Sequence, residues 1–321
     1  MYDVITVGSA TVDAFAETAE KYFKGKDYSY PVGSKILLQD LHFSVGGGGT
    51  NTAVSLARLG LKTAFLGKLG DDDNARTVKE YLKKEKINTS LVVQGHGKTG
   101  YSVVLDAKHH DRSILTYKGV NNTLSEGDID FNKLDAKWVY FSSMVGKAFN
   151  TAAKIAKTLR KNGTGIAFNP SSYLTNKGLS YVNRLAKYCD VFVMNMEEAG
   201  MLVKGDINET LVKLARYGPQ TVIVTDGKNG VYVYNEKNIY YAKPPRAKIV
   251  ETTGAGDAFA SSFLAGLIKK NDIDFAIKLG LVNSASVISG YGAKQNLLTY
   301  PEALDKIDKS GIRITKTQVQ Q

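Results

Sequence analysis

The 321-residue chain has one cysteine, Cys189, and so holds no internal disulfide framework. A reducing, cytoplasmic setting is the expectation. It has one tryptophan and six prolines, with no repeat and no low-complexity stretch. No apolar run reaches membrane-spanning length. The opening Met-Tyr-Asp-Val-Ile-Thr-Val-Gly carries an acid and no basic leader, and reads as a strand rather than a secretory signal. There are four histidines. The adjacent pair, His109 and His110, would point to opposite faces of a strand, which argues against metal ligation.

What is present suits a globular α/β chain: 43% hydrophobic and 23% charged residues. The net charge is +11. The lysines are spread along helices among acids and apolar residues, so they read as solvated faces that attract an anionic nucleotide, with no nucleic-acid or membrane partner. From Trp138 on, strand and helix alternate: Trp138–Phe141, Thr151–Lys161, Gly165–Phe168, Lys177–Lys187, Asp190–Met194. That order predicts a parallel sheet with helices on both faces, and ligands beyond the strands' carboxyl ends.

Two glycine-rich stretches carry the chemistry. In Glu251-Thr-Thr-Gly-Ala-Gly-Asp257, small residues lead into a helix over Ala258–Lys270. The bare N–H groups of Gly254, Ala255 and Gly256 predict an anion hole. Asp257, placed at the helix start, is either an N-cap or the base that takes a proton from an attacking hydroxyl. A carboxylate at a helix N-terminus is expected to have a low pKa. In Val45-Gly-Gly-Gly-Gly-Thr-Asn51, glycines let the backbone approach a ligand, and Asn51 offers donors and acceptors.

Together these stretches, about 200 residues apart, resemble the two signatures of the ribokinase (PfkB-type) carbohydrate kinases. The resemblance implies a three-layer α/β sandwich with a mostly parallel central sheet and a small β lid. It implies one domain over 1–321, with lid segments about 14–45 and 98–118. Ala14–Ser44 shows only weak helical periodicity, and Asp13 reads as a turn residue. The implied reaction is ATP-dependent phosphorylation of a sugar hydroxyl. Asp13, Gly47, Gly48, Asn51 and Asn121 would hold the sugar. Asn195, Thr225, Gly227, Gly230 and Asn283 would hold the nucleotide. Glu198 would act on Mg2+ through water, although Asn195 and Glu198 also form a capping-box pattern. The loop from Thr225 to Gly230 also reads as a hairpin turn.

The chain departs from the family twice. Gly48 stands where ribokinases usually have Lys. Glu251 stands where the signature begins with Asp, a residue that helps bind K+ in ribokinases, so potassium dependence is open. Two alternatives remain: a nucleoside kinase of the same fold, supported if Tyr28, Tyr30 or Phe43 stacked on a base, and a catalytically silent sensor of sugar or nucleotide. A homodimer through the lid is the expected assembly. The basic tail after Lys309 is given no role.

Overall fold

The computed structural model describes residues 1–25, 27–107 and 112–319. His109 and His110 therefore lie outside the described residues. A nine-stranded sheet forms the centre. Its strands run, edge to edge, Ile314–Gln318, Asn238–Ala242, Val231–Asn235, Thr221–Thr225, Val191–Asn195, Gly165–Phe168, Ala136–Phe141, Tyr2–Val7 and Thr63–Leu66. The last six pair in parallel and the first three antiparallel. The parallel strands are mostly apolar because both faces are covered, with polar residues such as Asp3, Lys137 and Asn195 near their ends.

Alternation within each strand divides the core into two layers. Ile5, Val139 and Val222 pack with Ile155, Leu185 and Leu211 of the helices on one face. Val4, Tyr140 and Ile223 pack with Phe263, Leu264 and Ile277 on the other. Each large side chain buried this way contributes about 1.5–3 kcal/mol. Here helix Ala255–Lys270 lies against Ile273–Val287. Both are apolar on nearly every side because both are buried.

A second, four-stranded sheet stands over the strand ends: Ser113–Tyr117, Gly100–Ala107, Thr11–Thr18 and Asp40–Gly46. This is the expected β lid. It begins at Thr11, and Thr11–Thr18 is a strand despite the weak helical periodicity read from Ala14 on, because it gains partners on both sides. Asp13 thus lies in a strand and not in a turn. Period-two geometry gives the sheet two distinct faces. Thr11, Asp13, Phe15, Ser102, Val104 and Ile114 face a cleft. Leu41, Phe43 and Leu115 pair in register with Ala16, Ala14 and Val103, which alternate with those residues, and so belong to the outer face, at 49%, 61% and 60% exposure.

The tail after Lys309 has a structural part. Ile314–Gln318 closes the sheet edge beside Asn238–Ala242, with Ile312 and Ile314 packed on the core. Asp72 caps helix Asp73–Lys84 by accepting the Ala75 N–H at 3.0 Å.

Candidate functional site

The cleft, about 300 Å3, opens where parallel strands end and the lid begins. Tyr2–Val7 leads to Ser9, Ala136–Phe141 to Ser142 and Ser143, and Gly165–Phe168 to Asn169. Such strand-end crevices are where open α/β sheets bind ligands. Asp13 descends from the lid strand and accepts the Thr11 hydroxyl at 2.8 Å. Gly46 runs so close beside it that a Cβ there would lie 1.8 Å from the Asp13 carboxylate. Gly47, Gly48 and Asn51 line the same cleft.

Asp257 lines the same cleft, beside Gly48 and Asn51. Its helix starts at Ala255, with Gly254 as N-cap at φ 80, so Asp257 is the third helical residue and not the first. Only glycine suits position 254: φ is left-handed, and a Cβ would meet Ala293 at 2.5 Å. The Ala255 N–H closes the turn onto the Thr252 carbonyl at 3.3 Å. The N–H groups of Gly256 and Asp257 have no carbonyl four residues back inside the helix. The Asp257 carboxylate does not cap its own helix. It accepts the Asn51 side-chain N–H at 2.9 Å.

Behind this pair lies Lys294, 5% exposed, whose ammonium donates to the Asn51 carbonyl. Burial raises the pKa of Asp257, opposed by the Asn51 hydrogen bond and the charge of Lys294. The low pKa expected at a helix start is thus set against a raised one, with burial as its largest cause. Burial likewise lowers Lys294 to about 8, against the attraction of Asp13, Asp257 and Glu85.

The remaining expected residues fall into three groups. Asn121 lines the cleft, but its amide is spent on the backbone, bonding Ala10 at 3.0 and 2.8 Å and the Lys118 carbonyl at 3.0 Å. Asn195 and Thr225 are register neighbours at adjacent strand ends. Gly227 and Gly230 bound the short turn that follows, which joins two antiparallel strands as a hairpin. The capping box of Asn195 and Glu198 is formed in both directions, at 2.8 and 3.0 Å.

Asn283 is a correction. Expected at the nucleotide, it is fully buried, donating to Ser262 at 2.6 Å and accepting from the Leu298 N–H at 2.9 Å. Its side chain ties helix Ile273–Val287 to helix Ala255–Lys270 and to the segment before Thr299. The Glu251 carboxylate accepts the Thr253 hydroxyl and the Gly292 N–H and lies 3.4 Å from the Arg112 guanidinium, so the position where the signature usually has Asp is here engaged with this chain's own donors. Among the described residues no group of three His, Cys, Asp or Glu side chains is placed to hold a metal ion. No helix is long and apolar enough to cross a membrane.

The profile of the pfkB family carbohydrate kinases matches residues 1–299. The chain belongs to that family. The kinase is 28% identical to the ribokinase of Haemophilus influenzae, over 86% of this chain and 91% of that one. It is 26% identical to a 5-dehydro-2-deoxygluconokinase of Bacillus licheniformis, over 94% of each. In fold it is similar to the Arabidopsis thaliana ribokinase solved with ribose and ATP, at a TM-score of 0.82 and 22% identity, covering 95% of this chain and 98% of that one. The kinase is thus a phosphotransferase acting on a carbohydrate, with a ribokinase-like fold.

Two residues of the kinase's site escaped the sequence reading. Lys294 follows the Gly-Ala turn and looks like any of the 42 basic residues. Lys118 precedes the Gly119–Thr123 turn and lines the cleft beside Tyr173. Conversely, Tyr28, Tyr30 and Phe43 are not among the residues lining the cleft. Tyr28 and Tyr30 stack on each other at 6.3 Å, and Phe43 faces outward.

Proposed function

We propose that the kinase transfers the γ-phosphoryl group of ATP to a primary hydroxyl of a sugar held under the lid. The observation that carries this reading is the Asp257 carboxylate, at the first turn of its helix and in the wall of the cleft, with its pKa raised. As base, Asp257 takes the hydroxyl proton. The sugar oxygen then bonds to the γ-phosphorus, the bond to the bridging oxygen breaks, and ADP leaves. A raised pKa makes the carboxylate a better proton acceptor than an ordinary aspartate. The Gly254-Ala255-Gly256 turn aims N–H groups, those of Gly256 and Asp257 above all, at the charge that develops on the phosphoryl oxygens.

The whole chain acts as one unit in this reading. Asp13 and Asn51 hold sugar hydroxyls, Gly47 and Gly48 let the sugar approach the backbone, and Asn121 keeps the strand end at Ala10 in place. The lid excludes the water that would otherwise take the phosphoryl group. Asn195, Thr225, Gly227 and Gly230 edge the nucleotide site. Mg2+ bound with the nucleotide would neutralise phosphate charge. Glu198 fits as its carboxylate, through water: it is buried, its pKa is raised, and the charges of Glu197 and Asp257 press on it, surroundings that a cation relieves. The test is ADP release with Mg-ATP and a panel of sugars, run beside Asp257→Asn. The variant should bind ATP yet lose turnover by about 100- to 10,000-fold. Turnover near the wild-type rate in Asp257→Asn would overturn the mechanism.

A further inference from the structure

We infer that the acceptor sugar carries a carboxylate, and that Lys118 selects it. This rests on the kinase reading above and narrows its substrate. Lys118 stands between the lid strand Ser113–Tyr117 and the short turn Gly119–Thr123. Among the described residues it is the one cation that lines the cleft, where Asp13 and Asp257 also lie. Its ammonium sits 5.0 Å above the ring of Tyr173, another cleft residue. It is held there by its backbone: Asn121 bonds the Lys118 carbonyl through both its main-chain and side-chain N–H, at 3.2 and 3.0 Å, while gripping Ala10. A surface lysine swings freely; the base of this one is fastened to the cleft wall.

The charge balance around it is incomplete. Lys118 is half-buried, and desolvation lowers its pKa. Asp13 is the charged group that opposes this, and it does so without forming an ion pair among the described residues. A cation kept partly dry over an aromatic face is compensated best by an anion brought in by the ligand. A neutral sugar offers only hydroxyl dipoles. A carboxylate offers a full charge and a charge-assisted hydrogen bond. One lysine suits a monoanion; a phosphate dianion gathers several cations or N–H donors, and Asp13 would repel its second charge. The acid would then bind with its carboxylate at Lys118 and Tyr173, its hydroxyls near Asp13 and Asn51, and its reacting hydroxyl at Asp257.

Steady-state kinetics with Mg-ATP on matched acceptors tests this: gluconate and 2-keto-3-deoxygluconate against glucose and fructose, with fructose 6-phosphate as a separate arm. The wild type should favour an acid over its neutral counterpart by tenfold or more in kcat/KM, and rising salt should erode the preference. Lys118→Met should collapse that ratio by about ten- to a hundredfold. Lys118→Arg should retain it. Equal or better turnover of the neutral sugars, a ratio unchanged in Lys118→Met, or preference for fructose 6-phosphate would overturn the inference. If no acceptor is turned over at all, the kinase reading fails, and calorimetric titration of the two acids still decides this one. Binding of an acid to the wild type, weakened at least tenfold in Lys118→Met, upholds it; equal or absent binding overturns it.

Discussion

The amide of Asn51 joins Lys294 to Asp257. Its carbonyl takes the Lys294 ammonium, and its N–H donates to the Asp257 carboxylate at 2.9 Å. An ammonium only donates and a carboxylate only accepts, so the amide has a single orientation between them. The residue expected to bind sugar therefore also positions the base. The charge of Lys294 polarises the amide and, with it, the hydrogen bond that keeps Asp257 ionised.

Lys294→Met should therefore lower kcat by roughly tenfold, the cost of about 1.4 kcal/mol, with a smaller change in KM for ATP. The wild type should lose activity above pH about 8 as Lys294 gives up its proton. Lys294→Met should lack that alkaline limb. Stability gives an independent readout. In the folded protein the lysine titrates at about 8, below its ordinary 10.5. Between those values the unfolded chain holds a proton the folded one has released, so this group adds stability as pH rises through the window. Denaturant titrations should show the wild type gaining on Lys294→Met from pH 8 upward. Parallel curves would contradict the assignment.

A second pH effect lies on the acid side. The pKa of Asp257 is raised, so its basic form is lost earlier as pH falls than for an ordinary aspartate near about 3.9. The acid limb of kcat should sit above that value. Asn51→Ala removes the hydrogen bond that favours the carboxylate, so it should move the limb higher still and lower kcat by about tenfold or more. A pH profile that Asn51→Ala leaves in place would separate Asn51 from the base.

How much of this was legible depends on the range over which each residue acts. Gly46–Gly49 and Gly254–Gly256 announce themselves because a tight backbone path needs glycine locally, although both helices begin inside these stretches, at Gly48 and at Ala255 rather than at Ala258. Asn51 and Asp257 ride on those turns. Lys294 meets Asn51 across 243 residues, and nothing local marks a lysine as buried. Asn283 was misread because its helix is apolar on nearly every side, so periodicity cannot say which face meets a ligand. Thr11–Thr18 reads weakly because its strand character comes from partners at Asp40–Gly46 and Gly100–Ala107. The tail strand depends in the same way on an edge supplied by Asn238–Ala242.

Asn283 gives a direct test of its corrected place. Asn283→Ala would leave the Leu298 N–H without its acceptor in the core and take from the Ser262 hydroxyl the closer of its partners. The loss should be roughly 1–3 kcal/mol of stability, read as a lower denaturation midpoint. KM for ATP should stay near the wild-type value at a temperature where the variant is folded. A rise in KM of tenfold or more, with stability intact, would return Asn283 to the nucleotide.

The last expectation concerns the outer face of the lid. Leu41, Phe43 and Leu115 share it and are half to nearly two-thirds exposed, while the opposite face is occupied with the cleft. The strand Ser113–Tyr117 is exposed along its whole length and has a single neighbour in the sheet. We propose that a second copy of the chain covers this face, each lid shielding the other. Like surfaces meeting about a twofold axis bury the apolar residues of both at once. Sedimentation should then give a dimer for the wild type and a monomer for Phe43→Glu. Because the same sheet carries Asp13 and Phe15 on its inner face, the monomer should also show a higher KM for the sugar, with KM for ATP changed less. A wild type that sediments as a monomer at micromolar concentration would sink the proposal.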